Sequence, residues 1–200
     1  GYAGIKPKAV VLVATLRALR HHGGAKKDEY NTASLDRVKA GIENLKKHIE
    51  NIQTFGLQPV VAINQFISDS EEEMAYVTEV CAEMGVKAVV SRGWADGGKG
   101  TEELAKAVVE AVESGKSNFT PLYDWKSPVK EKIEKIAKTI YGADGVDYDK
   151  KAQTDLKTIK DLGLEELPIC MAKTQKSLSD NESLIGRPTG FRITVREFEM

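Results

Sequence analysis

The chain has 200 residues, 41% of them hydrophobic and 30% charged, which suits a soluble globular protein with a sizeable core. A formal net charge of −1 leaves no bulk excess to hold DNA, RNA or an anionic membrane. Cys81 and Cys170 are too few for a disulfide scaffold or a four-ligand zinc site, no apolar run reaches the roughly 18 residues of a membrane span, and the N-terminus has no signal-peptide pattern; the expected setting is reducing and cytoplasmic.

Residues 9–14 form a continuous apolar run, which predicts a strand buried on both faces, as in a parallel sheet. Residues 21–32 are polar and carry Gly23-Gly24, which predicts a loop. From Ser34 the apolar residues Leu35, Val38, Ile42, Leu45, Ile49 and Ile52 step by three and four, marking a helix face that Gly56 stops. Residues 59–63 predict a second buried strand. Ser70 and Glu73 have capping-box spacing for a helix through Met84, with Gly85 as its stop. Residues 87–90 extend into a third strand. A glycine-rich loop follows over 93–100, and Thr101 is placed to cap a helix to about Glu113 with Leu104, Val108 and Val112 inward.

Strand and helix thus alternate three times, which predicts an α/β fold: a parallel sheet with flanking helices. Ser114-Gly115-Lys116-Ser117-Asn118 reads as a boundary, giving an expected α/β domain over residues 1–116 and a smaller α+β domain over 117–200. In the second, Ser127-Pro128 opens a helix that Tyr141-Gly142 closes, another runs from Asp149 to Leu162, and 167–172 and 191–195 read as strand-like. The chain starts almost on a strand and reaches Met200 still in a strand-like pattern, so both ends are expected to be cuts through a longer fold.

Parallel sheets of this kind bind ligands in the loops after their strands, here 15–24, 64–69 and 91–100. Gly93-Trp94-Ala95-Asp96-Gly97-Gly98-Lys99-Gly100 nearly matches the phosphate loop G-x-x-x-x-G-K-[ST], but Gly100 stands where Ser or Thr would ligate magnesium. It reads either as a phosphate cradle or as a flexible strand-to-helix connection. The run from Asn64 to Asp69 resembles a base-reading loop and equally a helix entry. Phe66 and Trp94 follow neighbouring strands; they could clamp a flat heterocycle between them, or each could be core. His21, His22 and His48 have no metal-ligand spacing. Cys81 and Cys170 are expected to be buried and inert. Lys173, Lys176, Arg187, Arg192 and Arg196 give the C-terminal part a positive bias, a solvated face or an attractor of polyanions.

Taken in order, several segments resemble the formate–tetrahydrofolate ligase family. They are Tyr2-Ala3-Gly4-Ile5-Lys6-Pro7, Val11-Leu12-Val13-Ala14-Thr15-Leu16-Arg17-Ala18-Leu19, His22-Gly23-Gly24, Val61-Ala62-Ile63-Asn64-Gln65-Phe66 and Trp94-Ala95-Asp96-Gly97-Gly98-Lys99-Gly100. Further on come Pro168-Ile169-Cys170-Met171-Ala172-Lys173-Thr174-Gln175, Ser177-Leu178-Ser179-Asp180, Gly186-Arg187-Pro188 and Phe191-Arg192-Ile193-Thr194-Val195-Arg196-Glu197. The resemblance implies part of a P-loop-NTPase-like domain and an enzyme that joins formate to tetrahydrofolate with ATP and Mg2+ through formyl phosphate. It places Phe66 and Trp94 on the folate ring, with Asn64, Gly97, Gly98 and Gly100 as further substrate-binding positions and no catalytic residue in this stretch. It moves the phosphate site to an earlier segment, and with it the reading of 93–100 away from a phosphate cradle. It also implies a homo-oligomeric parent. Lys176 stands where the family pattern has an aromatic. The expectation is an interior piece of the ligase, inactive by itself. A non-catalytic folate- or partner-binding module is the second reading, and a nucleotidase loop at 93–100 the third.

Overall fold

The computed structural model describes residues 1–199. The chain divides into two compact units, one holding residues 3–120 with Gly1 and one running from Pro121 onward with Tyr2.

The first unit is built on a three-stranded sheet, β1 (Val10–Ala14), β2 (Pro59–Asn64) and β3 (Lys87–Ser91), in the order β1-β2-β3. Both pairings are parallel: Val10 lies opposite Pro59 and Ala14 opposite Ile63, while Val60 lies opposite Lys87 and Asn64 opposite Ser91. Parallel strands need crossovers, and the intervening segments supply helices for them. Helices α1 (Leu16–His22) and α2 (Leu35–Thr54) lie between β1 and β2, and α3 (Glu71–Glu83) lies between β2 and β3. The two-turn α1 occupies most of the segment expected to be a ligand loop at 15–24. Its N-cap is Thr15, whose hydroxyl accepts the Ala18 N–H at 3.2 Å.

The core lies where Leu16 and Leu19 of α1, Val38, Ile42, Leu45 and Ile49 of α2, and Val77, Val80 and Cys81 of α3 meet Val61 and Ile63 of β2. Two glycines allow α1 and α2 to approach at backbone distance: a β-carbon at Gly41 would land on the Leu19 carbonyl, and one at Gly23 on the Arg37 carbonyl. Ser70 and Glu73 form the expected capping box.

Three expectations need correction in this unit. Strand β1 is not buried on both faces: Val13 is 61% exposed and Val11 is also exposed, although their register partners Ala62 and Val60 are buried. β1 is an edge strand, and helix α5 (Glu102–Glu113) packs on β2 and β3. The glycine-rich stretch is not an open loop. It is a short helix, α4 (Gly93–Asp96), followed by a 3-10 turn over Gly97–Thr101. On α5 only Ala107 is fully buried and Val112 is exposed, because the helix covers the sheet with one narrow side. Thr101 does sit at its N-cap, but the hydroxyl donates back to the Gly98 carbonyl at 2.9 Å instead of accepting a helix amide.

The second unit holds α6 (Val129–Ile136), which runs on into a π-helical turn over Ala137–Tyr141, then β4 (Gly145–Tyr148), α7 (Lys150–Asp161) and β5 (Arg192–Val195). β4 and β5 pair in parallel, with Gly145 opposite Arg192. Gly145-Val146-Asp147-Tyr148 is short and half polar, so β4 carries no strand signal in the sequence. The expected strand at 167–172 is absent because side chains, not a neighbouring strand, satisfy its backbone. The buried Lys132 ammonium donates to the carbonyls of Glu165 at 2.7 Å and Leu167 at 3.0 Å, and the Ile169 N–H donates to the Tyr123 hydroxyl at 2.9 Å. Cys170 is accordingly exposed, not buried, whereas Cys81 is buried and its thiol is pushed up to about 11 by burial. The strand-like pattern read toward the C-terminus stops at Val195, and Met200 lies outside the described residues.

Candidate functional site

The site lies in the first unit, at the carboxyl ends of β2 and β3. Asn64 is the last residue of β2, half-buried and opposite Ser91. The pairing continues one step further, with the Gln65 N–H donating to the Ser91 carbonyl at 3.0 Å. The chain then turns. The Phe66 N–H donates to Asp69 Oδ2 at 2.8 Å, and the Asp69 N–H returns to the Phe66 carbonyl at 3.0 Å. This tight turn holds the Phe66 ring at the sheet edge, before α3 begins.

Trp94 reaches the same place from α4. Its indole N–H donates to the Gln65 carbonyl at 2.7 Å, while the side chain stays 56% exposed. The Phe66 and Trp94 rings are nearly parallel, at 22°, with centroids 6.4 Å apart. The Arg17 guanidinium lies over one face of Phe66, 4.1 Å from its centroid, and Arg17 Nε is buried without a hydrogen-bond partner. The structure therefore brings Phe66, Trp94 and Asn64 to one edge and adds Arg17.

The glycines of the turn have separate roles. Gly97 takes a left-handed φ of +58° and Gly98 faces open space, so the turn presents bare backbone. Gly100 closes it: its carbonyl accepts the Arg92 N–H at 2.9 Å, and a β-carbon there would come within 2.5 Å of the Arg92 carbonyl. The amides of Ala95 and Asp96 both donate to the Arg92 carbonyl, at 3.0 and 2.9 Å, and the Gly97 amide to that of Gly93. Amides engaged in this way do not point outward as a phosphate cradle requires.

Behind Phe66 lies a buried charge cluster that the sequence did not reveal. Arg20 is fully buried. Its Nε and Nη2 reach Glu73 at 2.9 and 2.6 Å, Nη2 also reaches Asp69 at 3.0 Å, and Nη1 donates to the Tyr30 carbonyl at 2.8 Å. Glu73 further accepts the backbone amides of Ser34 at 2.8 Å and Ser70 at 3.0 Å. Burial pushes the Glu73 carboxyl up, but the Arg20 guanidinium and the Ser70 and Ser34 amides outweigh it and hold the group down at about 2. An arginine on the core face of a short helix, with Asp and Glu four residues apart beyond a strand, is the signal that could have shown this cluster.

The other candidates do not join the site. The His21 ring nitrogen Nδ1 meets the Tyr30 hydroxyl at 2.7 Å, and among the described residues no three His, Cys, Asp or Glu side chains come together to hold a metal ion. In the second unit the expected positive bias is largely paired. Lys176 meets Glu182 at 2.7 Å, Arg192 meets Asp147 at 2.9 Å, and Lys173 donates to the carbonyls of Thr174, Ser177 and Ser179. No described helix is long and apolar enough to cross a membrane.

The family model of formate–tetrahydrofolate ligase matches residues 1–200, the whole of the chain. The chain belongs to this family. Formate–tetrahydrofolate ligases are ATP-dependent enzymes, so the substrates implied for the family are small molecules: formate, tetrahydrofolate and ATP. A flat bicyclic ring is among them, and the site at the carboxyl end of the sheet offers two flat rings, the exposed Trp94 and the half-buried Phe66.

Proposed function

We propose that this chain supplies the tetrahydrofolate-binding wall of a ligase that makes 10-formyltetrahydrofolate from formate by way of formyl phosphate. The observation that carries the reading is the near-parallel Phe66–Trp94 pair with its 6.4 Å centroid separation. A flat ring held between two others needs about 7 Å between their planes, twice a face-to-face contact, so the exposed Trp94 has to swing outward to admit the pterin. Asn64 lies at the same edge to meet the ring's polar groups. Gly97 and Gly98 keep the approach clear of side chains, and Gly100 holds the turn that carries Trp94.

Tetrahydrofolate is the nucleophile of the proposed reaction, and the role of these residues is to bind and orient it. Phosphoryl transfer relies on a phosphate cradle and magnesium. The segment nearest to such a cradle, 93–100, has Gly100 in the Ser/Thr position and engages its own amides. Gly100 also leaves that segment without the hydroxyl that would ligate magnesium. The chain alone is therefore proposed to be inactive, with ATP held elsewhere in the ligase, and a cytoplasmic setting is proposed with it.

The test is Trp94→Ala. Tetrahydrofolate affinity is expected to fall roughly tenfold or more, since one lost stack of about 1 kcal/mol adds to lost buried area. In the complete ligase, ATP affinity and the unfolding midpoint should stay close to wild type. A core tryptophan would instead cost about 3–5 kcal/mol of stability and lower every property together. Unchanged tetrahydrofolate affinity rejects the clamp. The exposed Val11 and Val13 on edge strand β1 favour a second reading, a binding module that docks a partner without turnover.

A further inference from the structure

One peptide unit connects the supports of both rings. The carbonyl of the Gln65–Phe66 peptide accepts the Trp94 indole N–H at 2.7 Å, and the N–H of the same peptide donates to Asp69 Oδ2 at 2.8 Å. The other oxygen of that carboxylate accepts Arg20 Nη2 at 3.0 Å, and both side chains are 0% exposed. Arg20 is itself held, by Glu73 at Nε and Nη2 and by the Tyr30 carbonyl at Nη1.

We propose that Asp69, clamped by Arg20, is a positioning residue for the tetrahydrofolate site, fixing the Gln65–Phe66 peptide plane and through it the orientation of both Phe66 and Trp94. The proposal rests on the reading of these two rings as the folate clamp. A peptide plane that turned over would take its carbonyl from Trp94 and its N–H from Asp69 together. An acceptor locked beneath the N–H selects the orientation that presents the carbonyl to the indole. The acceptor has to be a carboxylate, because both of its neighbours are donors. An amide would have to turn its NH2 toward either the guanidinium or the Phe66 N–H. The charge on Asp69 also polarises the peptide it binds, which makes the Gln65 carbonyl a better acceptor for Trp94.

The experiment uses Trp125→Phe as background, which leaves Trp94 as the only one of the two tryptophans. Acrylamide quenching and fluorescence anisotropy of Trp94 are measured without ligand, and tetrahydrofolate binding by titration, in Asp69→Asn and Asp69→Glu well below their unfolding midpoints. In a folded variant, Trp94 is expected to become more quenchable and less anisotropic, and tetrahydrofolate affinity to fall roughly tenfold, the loss expected when one stack is misplaced. Asp69→Glu keeps the charge against Arg20 but displaces the second oxygen, so it decides the matter if Asp69→Asn does not fold. Wild-type quenching and anisotropy of Trp94 in whichever variant folds overturn the proposal. The two readings separate cleanly. If Trp94→Ala leaves tetrahydrofolate affinity unchanged, the clamp fails, and the ligand-free fluorescence of the Asp69 variants still decides whether Asp69 sets the ring.

Discussion

The two aromatic residues of the candidate site are mounted very differently. Phe66 stands on a turn whose aspartate is buried, ion-paired and backed by a fully buried arginine–glutamate pair. Trp94 stands on a single helical turn followed by glycines, with the exposed Arg92–Asp96 pair beside it. One jaw is therefore stiff and the other is held mainly by backbone hydrogen bonds. Local stability follows buried contacts, so the Trp94 mount is the one expected to yield first, once its indole lets go of the Gln65 carbonyl. A binder that must admit a ring about 3.5 Å thick needs a reference surface and a part that moves, and the two mounts divide those tasks.

The largest expected effect comes from breaking the stiff side. Glu73→Ala leaves the buried Arg20 guanidinium with one of its two carboxylate partners, Asp69, and removes the acceptor of the Ser34 and Ser70 amides. Removing one partner of a buried pair typically costs about 3–5 kcal/mol, a large share of the stability of an ordinary domain. Denaturant unfolding of wild type and variant measures it. A loss under about 1 kcal/mol would mean that water replaces the carboxylate and that the Phe66 mount is not stiff.

Acid weakens the first unit in two stages, the second of them at the Phe66 mount. His22 is held down to about 4 by burial and by the neighbouring His21 and His48, against an ordinary 6.5. The unfolded chain therefore takes up a proton that the folded chain refuses, and the stability tied to neutral His22 is full above 6.5 and lost as the pH falls to about 4. Glu73 has its pKa lowered to about 2 from 4.5, so its contribution is full above 4.5 and lost between 4.5 and about 2. Unfolding midpoints between pH 7 and pH 3 should fall in both windows. His22→Gln is expected to flatten the upper window and leave the lower one, and an unchanged upper window would detach His22 from the decline.

How much of this contrast is legible in the sequence depends on the range of the interactions. The three parallel strands and α2 follow from local periodicity, and the Ser70–Glu73 capping box from a spacing of three. Phe66 and Trp94 stand out because each is an aromatic just past a strand, where alternation places ligand loops. The Arg20 cluster does not show, because its bonds to Asp69 and Glu73 join residues about fifty positions apart and the capping box already accounts for Glu73. The exposed face of β1 is missed for a related reason. Valine content shows that a strand can be buried, while its place at the sheet edge decides whether it is. The stretch at 167–172 has strand-like composition, but a lysine more than thirty residues away captures the Leu167 carbonyl, and the Tyr123 hydroxyl captures the Ile169 N–H.

The mobile side can be tested at Gly100. Gly100→Ala forces a methyl against the Arg92 backbone, and such overpacking costs about 1–3 kcal/mol. The turn opens to relieve it, so Trp94 moves away from Phe66 and tetrahydrofolate affinity should fall with only a moderate drop in unfolding midpoint. Unchanged affinity in a folded Gly100→Ala variant would show that the turn does not set the ring.

The smallest effect is expected at Arg92→Ala, and it sharpens the comparison because the substitution touches the same turn. The Arg92 and Asp96 side chains are 59% and 46% exposed and 3.1 Å apart, a solvated pair one helical turn apart. Such pairs contribute about 0–1 kcal/mol, because water screens the attraction and both long side chains lose freedom in making it. The hydrogen bonds that close the turn use the Arg92 backbone N–H and carbonyl, which alanine keeps. Arg92→Ala should therefore leave the unfolding midpoint, the Trp94 fluorescence and tetrahydrofolate affinity near wild type, where Gly100→Ala changes all three. If the two variants weaken tetrahydrofolate binding alike, the Arg92 side chain itself contacts the ligand, and the mobile jaw is a charged surface rather than a backbone-held ring.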